Sequence, residues 1–254
     1  MKRALKLVSL ILAVSLFALM AMGSGSDEEN ENTVSPKGEN KVEISENKEE
    51  TEAKWEAGEP GVTLWTDSIG TRWIQVVVPV TNTGSSDLYF ESAGIDLEDE
   101  NGSLVDTMSM VSFYPQVLKP GETGVYVEET TLDGFGGNTI KAIAHVKAEK
   151  ATVECIRYPV SDLSIVDEQY GEISVKGRIE NPTAEEVSGP EIAVLLYDEN
   201  NSIIGRLFTY ADSIAPGDKI GFSAGALSLP DDIKASSVAR YEVFAYPYQY
   251  QFSF

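Results

Sequence analysis

Hard oxygen donors crowd one short stretch, Asp96, Glu98, Asp99, Glu100 and Asn101, where calcium chemistry would be sought first. An EF-hand loop needs ligands at fixed positions around an obligatory glycine. Setting Gly102 at that glycine puts Leu97 first and Met108 last, and neither can ligate calcium. The acids are expected to be solvated hairpin residues, with a loop-edge calcium site of another geometry as the alternative. Asp198-Glu199-Asn200 reads the same way. His145 is the only histidine and Cys155 the only cysteine, too few for a usual zinc site or any intrachain disulfide. His145 is expected on a solvated strand face, and Cys155 as a small buried apolar residue. Carboxylate pairs suited to glycoside hydrolysis cannot be singled out among 41 acids. Gly134-Phe135-Gly136-Gly137 lacks the lysine and following helix of a phosphate-binding loop. No catalytic, cofactor-binding or metal residue is nominated, and a non-enzymatic chain without cofactor is expected.

The C-terminus carries the most unusual pattern. Tyr246, Tyr248, Tyr250, Phe252 and Phe254 share one parity, so a strand there sets them all on one face. The ordinary expectation is a last strand whose rings close the core of the final domain. The alternative is a sugar-stacking or protein-docking face made by Tyr246, Tyr248, Tyr250 and Phe252. A terminal Phe after alternating aromatics also resembles the insertion signal of outer-membrane β-barrels, which would need lipid-facing alternation on every strand.

These residues need a scaffold. Residues 1–26 read as a signal peptide or N-terminal anchor: Lys2, Arg3 and Lys6, an apolar run from Leu7 to Met22, then Gly23-Ser24-Gly25-Ser26. Leu19-Met20-Ala21-Met22-Gly23-Ser24 resembles the lipobox of bacterial lipoproteins, with Met22 where the lipidated cysteine belongs, so no lipid is expected. Residues 27–60 hold 12 acids and 4 bases and no apolar period, the composition of a disordered linker with a reach of roughly 30 Å. The formal charge of −22 leaves no basic patch for nucleic acid and repels anionic membranes. Membrane contact is expected only through residues 1–26, if they are uncleaved.

From Gly61 onward, short β-branched and aromatic runs such as Trp73-Ile74-Gln75-Val76-Val77-Val78 and Glu191-Ile192-Ala193-Val194-Leu195-Leu196-Tyr197 alternate with turn signals. An internal repeat runs through them. Val80-Thr81-Asn82-Thr83 matches Ile179-Glu180-Asn181-Pro182, and Leu97-Glu98-Asp99-Glu100-Asn101 matches Leu196-Tyr197-Asp198-Glu199-Asn200, both pairs 99 positions apart. Leu118-Lys119-Pro120-Gly121-Glu122 then matches Ile214-Ala215-Pro216-Gly217-Asp218. The expected fold is all-β: two tandem immunoglobulin-like β-sandwich domains, 61–158 and 159–254, each with its own core.

The second copy resembles the FxLYD domain family of exported, mostly Gram-positive bacterial proteins. The resemblance rests on Lys176-Gly177-Arg178-Ile179-Glu180-Asn181, Val194-Leu195-Leu196-Tyr197-Asp198 and Ala215-Pro216-Gly217-Asp218, covering most of Gly171 to Phe222. Val194 stands where the family has Phe, and the first copy keeps only Leu97 and Asp99 of the named motif. The resemblance implies an immunoglobulin-like sandwich without enzymatic activity, and carries over no functional residues. The expectation is an extracellular or cell-surface binding or spacer module whose partner is an envelope protein or a cell-wall glycan.

Overall fold

Strands dominate because the sequence offers β-branched and aromatic residues in runs too short for helices. The structure, a computed structural model, describes residues 53–152, 156–169 and 172–247. Among them every regular element is a strand apart from a 3-10 turn at Ala235–Ser237, and all strand pairs are antiparallel.

The first half runs β1 (Trp55–Ala57), β2 (Gly61–Thr66), β3 (Arg72–Asn82), β4 (Leu88–Phe90), β5 (Ala93–Glu98), β6 (Leu104–Tyr114), β7 (Val117–Leu118), β8 (Thr123–Thr131), β9 (Lys141–His145) and β10 (Ala148–Lys150). Its main sheet has the order β1-β3-β8-β6-β5-β9, with β2 also on β3, and a small sheet has the order β10-β4-β7. Strand β6 pairs with β5 along its first part and with β8 only at Ser112 to Tyr114. It thereby turns the sheet over onto itself, as strands do at the corner of a sandwich. Ile74, Val76, Val78 and Val80 alternate into the core so formed, against Ile95, Leu97, Phe113 and Tyr126.

The second half runs β11 (Val160–Asp167), β12 (Ile173–Glu180), β13 (Glu191–Tyr197), β14 (Ile203–Tyr210), β15 (Lys219–Gly225) and β16 (Arg240–Tyr246), in the order β11-β12-β15-β14-β13-β16. The corner is at β14, which pairs with β15 only at Phe208↔Gly225. Its core holds Val175, Ile179, Ile192, Val194, Leu196 and Leu207. The strand order β3-β8-β6-β5-β9 of the first half thus recurs as β12-β15-β14-β13-β16. The strands are divided among three sheets and form no single barrel through both halves.

The repeat recurs at atomic detail. Asn82 is fully buried; its Nδ2 donates to the carbonyls of Ser86 and Leu118, both at 2.9 Å, and its Oδ1 accepts from Gly84 N at 2.9 Å. Asn181, equally buried, donates to Glu185 O at 2.7 Å and Ile214 O at 2.9 Å and accepts from Thr183 N at 2.9 Å. Each asparagine carbonyl accepts from the glycine of the Pro-Gly turn, Gly121 (φ 82) or Gly217 (φ 75). That positive φ is why glycine stands there. Each asparagine therefore ties its strand end to the turn and to the edge of the sandwich, a role that turn propensity alone did not reveal.

One expectation needs correction and another an addition. The linker was expected to reach Pro60, yet Trp55–Ala57 pairs with β3, and Ala53 and Trp55 pack against the first core. A three-residue strand is too short to display a period, which hid it among acids. Residues 1–26, and 27–52 of the linker, lie outside the described residues. Second, each half closes a core of its own, and the two halves also share a third buried surface. Tyr114 and Val127 of the first half and Ala193, Leu195, Tyr197, Phe244 and Tyr246 of the second form a third buried cluster, a seam between them. Strand β13 is consequently buried on both faces along its whole length. Contacts gather the described residues into one unit.

Candidate functional site

Charge is buried where the halves meet. Arg206, on β14, has a side chain only 11% exposed and reaches across the seam to two adjacent carboxylates of β8. Its Nε and Nη2 donate to Glu129 Oε2 at 3.1 and 2.8 Å; its Nη1 donates to Glu128 Oε2 at 3.3 Å, and Nη2 also to Glu128 Oε1. A third carboxylate, Glu191 at the start of β13, accepts from Tyr114 Oη at 3.1 Å. Burial raises the pKa of Glu129 against the opposing pull of Arg206, and burial raises that of Glu191 as well. Burial would lower the pKa of Arg206, but Glu129, Tyr114 and Glu128 outweigh it and hold the guanidinium charged. Glu129 Oε1 and Gln75 Oε1 are both buried without a hydrogen-bond partner, and the two residues are opposite one another in the β3–β8 register. The cluster can clamp the two halves together.

The expected site residues fall elsewhere. Tyr246 is 2% exposed and packs in the seam beside Phe244, their rings 6.4 Å apart. Val243 and Ala245, of the opposite parity, face the second core. The even-numbered rings of β16 thus turn away from their own core toward the first half, and Tyr246 is not on an open ligand face. Tyr248, Tyr250 and Phe252 lie outside the described residues, as does Cys155. The acids around Asp99 are divided between two jobs. Asp99 Oδ1 accepts from Asn101 N and Ser103 N at 2.8 and 2.9 Å, closing the hairpin turn, as Asp198 Oδ1 does from Asn200 N and Ser202 N at 2.9 and 2.8 Å. Asp96 Oδ2 sits 2.9 Å from Nε2 of the exposed His145 on the neighbouring strand. No group of three or more His, Cys, Asp or Glu among the described residues is arranged to hold a metal ion.

A groove of about 610 Å³ opens at one end of the seam, between the β2–β3 turn and the segment after β15. Asp67 builds the near wall: its Oδ1 accepts from Ile69 N and Thr71 N at 3.1 and 2.8 Å, and its Oδ2 from Trp73 Nε1 at 2.9 Å. The Trp73 hydrogen bond, the largest influence, holds the Asp67 carboxyl below its usual pKa, so it stays ionised. The turn it caps thrusts Ile69 into solvent at 87% exposure, and Leu227 stands 93% exposed on the same groove. A second depression of about 560 Å³ adjoins it, sharing Pro230, Asp231 and Ile233 and floored by Trp65. Trp65 stacks on Trp73 at 6.1 Å and donates from Nε1 to Ser228 Oγ at 2.9 Å, which links the halves on this side as well.

The chain matches no protein-family model and no curated protein. No helix among the described residues is long and apolar enough to cross a membrane.

Sequence inspection passed over Arg206, Ile69 and Leu227. Arg206 did leave a trace, as the only basic residue between Arg178 and Lys219, set inside an apolar strand. Ile69 at a turn tip between Ser68 and Gly70 was a second trace, since turns favour polar residues.

Proposed function

We propose that the chain is a non-catalytic exported envelope protein, a binding or spacer module built from two FxLYD-like, immunoglobulin-like sandwich domains at the bacterial cell surface. The observation that supports this best is the seam. Two sandwiches joined only by a linker would reorient freely, whereas a shared apolar cluster and a buried Arg206 clamp hold one fixed geometry. Fixed spacing is what a spacer or a presenting platform needs. The acidic segment before Ala53 then acts as a tether that sets distance from the membrane. An envelope protein is the favoured partner, because Tyr246, the first ring of the alternating aromatic series, is spent inside the seam.

Cell fractionation of a bacterial host making the full chain tests this. Recovery in the envelope or the medium is the expected result. Retention in the cytoplasm with the N-terminal segment intact would refute the exported reading.

A further inference from the structure

We propose that the groove between the β2–β3 turn and the Ala226–Lys234 segment docks a cationic, apolar-tipped polypeptide segment of a partner protein. The proposal rests on the reading of the chain as a binding module and names the partner's chemistry. Three features of the groove converge. Its rim is acidic: Asp67, Glu172 and Asp231 line it against Lys234, while a further lining carboxylate, Glu168, is already paired with Lys176 at 2.6 Å. Its two apolar tips, Ile69 and Leu227, are the most exposed large hydrophobic side chains among the described residues. Both project from short segments that hydrogen bonds hold in place, Ile69 by the Asp67 cap and Leu227 next to Ser228, which Trp65 engages. Exposed apolar side chains framed by charge are the pattern of an interaction surface.

Charge decides the occupant. From Gly61 onward the chain carries 29 acidic and 12 basic residues, a net of −17, so two copies repel one another by their net charge. Nucleic acid and anionic lipid are repelled on the same ground. A glycan would seek open aromatic faces, whereas the two tips are aliphatic and Trp65 in the adjoining depression is only 8% exposed. A lysine- or arginine-bearing segment with leucine-like side chains satisfies both features at once, and the adjoining depression across Pro230, Asp231 and Ile233 gives it room to extend.

The test uses the full chain and a fluorescent twelve-residue peptide of alternating lysine and leucine, read by anisotropy. Control peptides carry glutamate for lysine or serine for leucine. The lysine-leucine peptide is expected to bind, and both controls to bind at least tenfold more weakly. Ile69→Ser with Leu227→Ser is expected to weaken binding roughly tenfold or more, since two apolar tips lose their burial. Glu172→Lys with Asp231→Lys is expected to weaken it about fivefold and to flatten its salt dependence. Leu104→Ser and Glu199→Lys, exposed changes off the groove, should leave affinity unchanged. Absence of binding, equal binding of the glutamate or serine peptide, or equal loss in the off-groove variants would each overturn the proposal. None of these outcomes bears on the fractionation result, so the two readings fail separately.

Discussion

Arg206→Met is expected to cost about 3–5 kcal/mol of unfolding free energy, because it removes the only cation from a buried group of carboxylates. Glu128 and Glu129 would lose every hydrogen bond that Arg206 supplies, with Glu191 close by across the seam. Methionine keeps the volume, so the loss is electrostatic and not a cavity. Urea unfolding followed by tryptophan fluorescence and by far-UV dichroism gives the readout. The parent chain should unfold in one transition, while the variant should separate into two as the halves uncouple. A midpoint within experimental error of the parent's would show that the clamp contributes nothing. Adding Glu128→Gln and Glu129→Gln to Arg206→Met should restore part of the loss, since neutral amides are far cheaper to bury than unpaired charges.

The same cluster gives a pH dependence of definite sign. Burial raises Glu129 and Glu191 above their ordinary pKa in the folded state, so the folded chain binds more protons than the unfolded one between the two values. Stability then falls as pH rises from the unfolded pKa of about 4.5 through the folded one. Asp67, Asp99, Asp198 and Glu168 behave in the opposite way. Hydrogen bonds lower their pKa, and the stability they lend is lost as pH falls through their folded values. A maximum in mildly acidic solution is expected, and Arg206→Met should be least damaging there, because protonated carboxyls need no cation. A parent chain whose thermal midpoint rose steadily from pH 5 to pH 8 would contradict this assignment.

Asn181→Ala is expected to cost about 3–5 kcal/mol, on the basis of roughly 1–3 kcal/mol for each buried polar group left unpaired. The side chain serves two carbonyls and one backbone N–H, and alanine can replace none of those bonds. For a folded unit of this size, that corresponds to a fall in Tm of about 6–20 °C. Asn82→Ala should do the same in the first half, through Ser86, Leu118 and Gly84. Calorimetry on both single variants and on the pair checks it. A shift below about 2 °C in either single variant would mean that water takes over the asparagine's role. Asn→Asp is the sharper comparison: it keeps the acceptor but sets a buried carboxylate oxygen against two carbonyls, so it should be at least as damaging as alanine.

Much of the molecule was legible in the chain itself. The β-branched run Trp73-Ile74-Gln75-Val76-Val77-Val78 announced a strand, and the repeated Asn, Asp-Glu-Asn and Pro-Gly signals announced two halves with like turns. These are local properties: strand period, turn dihedrals and side chain-to-backbone hydrogen bonds are set within a few residues, so order along the chain records them. The run Glu191–Tyr197 told less than it held. The apolar stretch 192–196 within it is compatible with burial on both faces, but only the partner surface shows what covers the second one.

What the tertiary structure decided is where surplus faces go. Tyr246 was legible as part of one aromatic face of a strand, yet whether that face met its own core, solvent or the other half depended on residues more than a hundred positions away, Tyr114 and Val127. Arg206 in the seam, and Ile69 and Leu227 on the groove, are of the same kind. Composition, charge and strand identity followed from the sequence alone. The seam, its buried carboxylates and the acid-rimmed groove arise only when distant segments desolvate one another, and single-chain periodicity carries no record of that event.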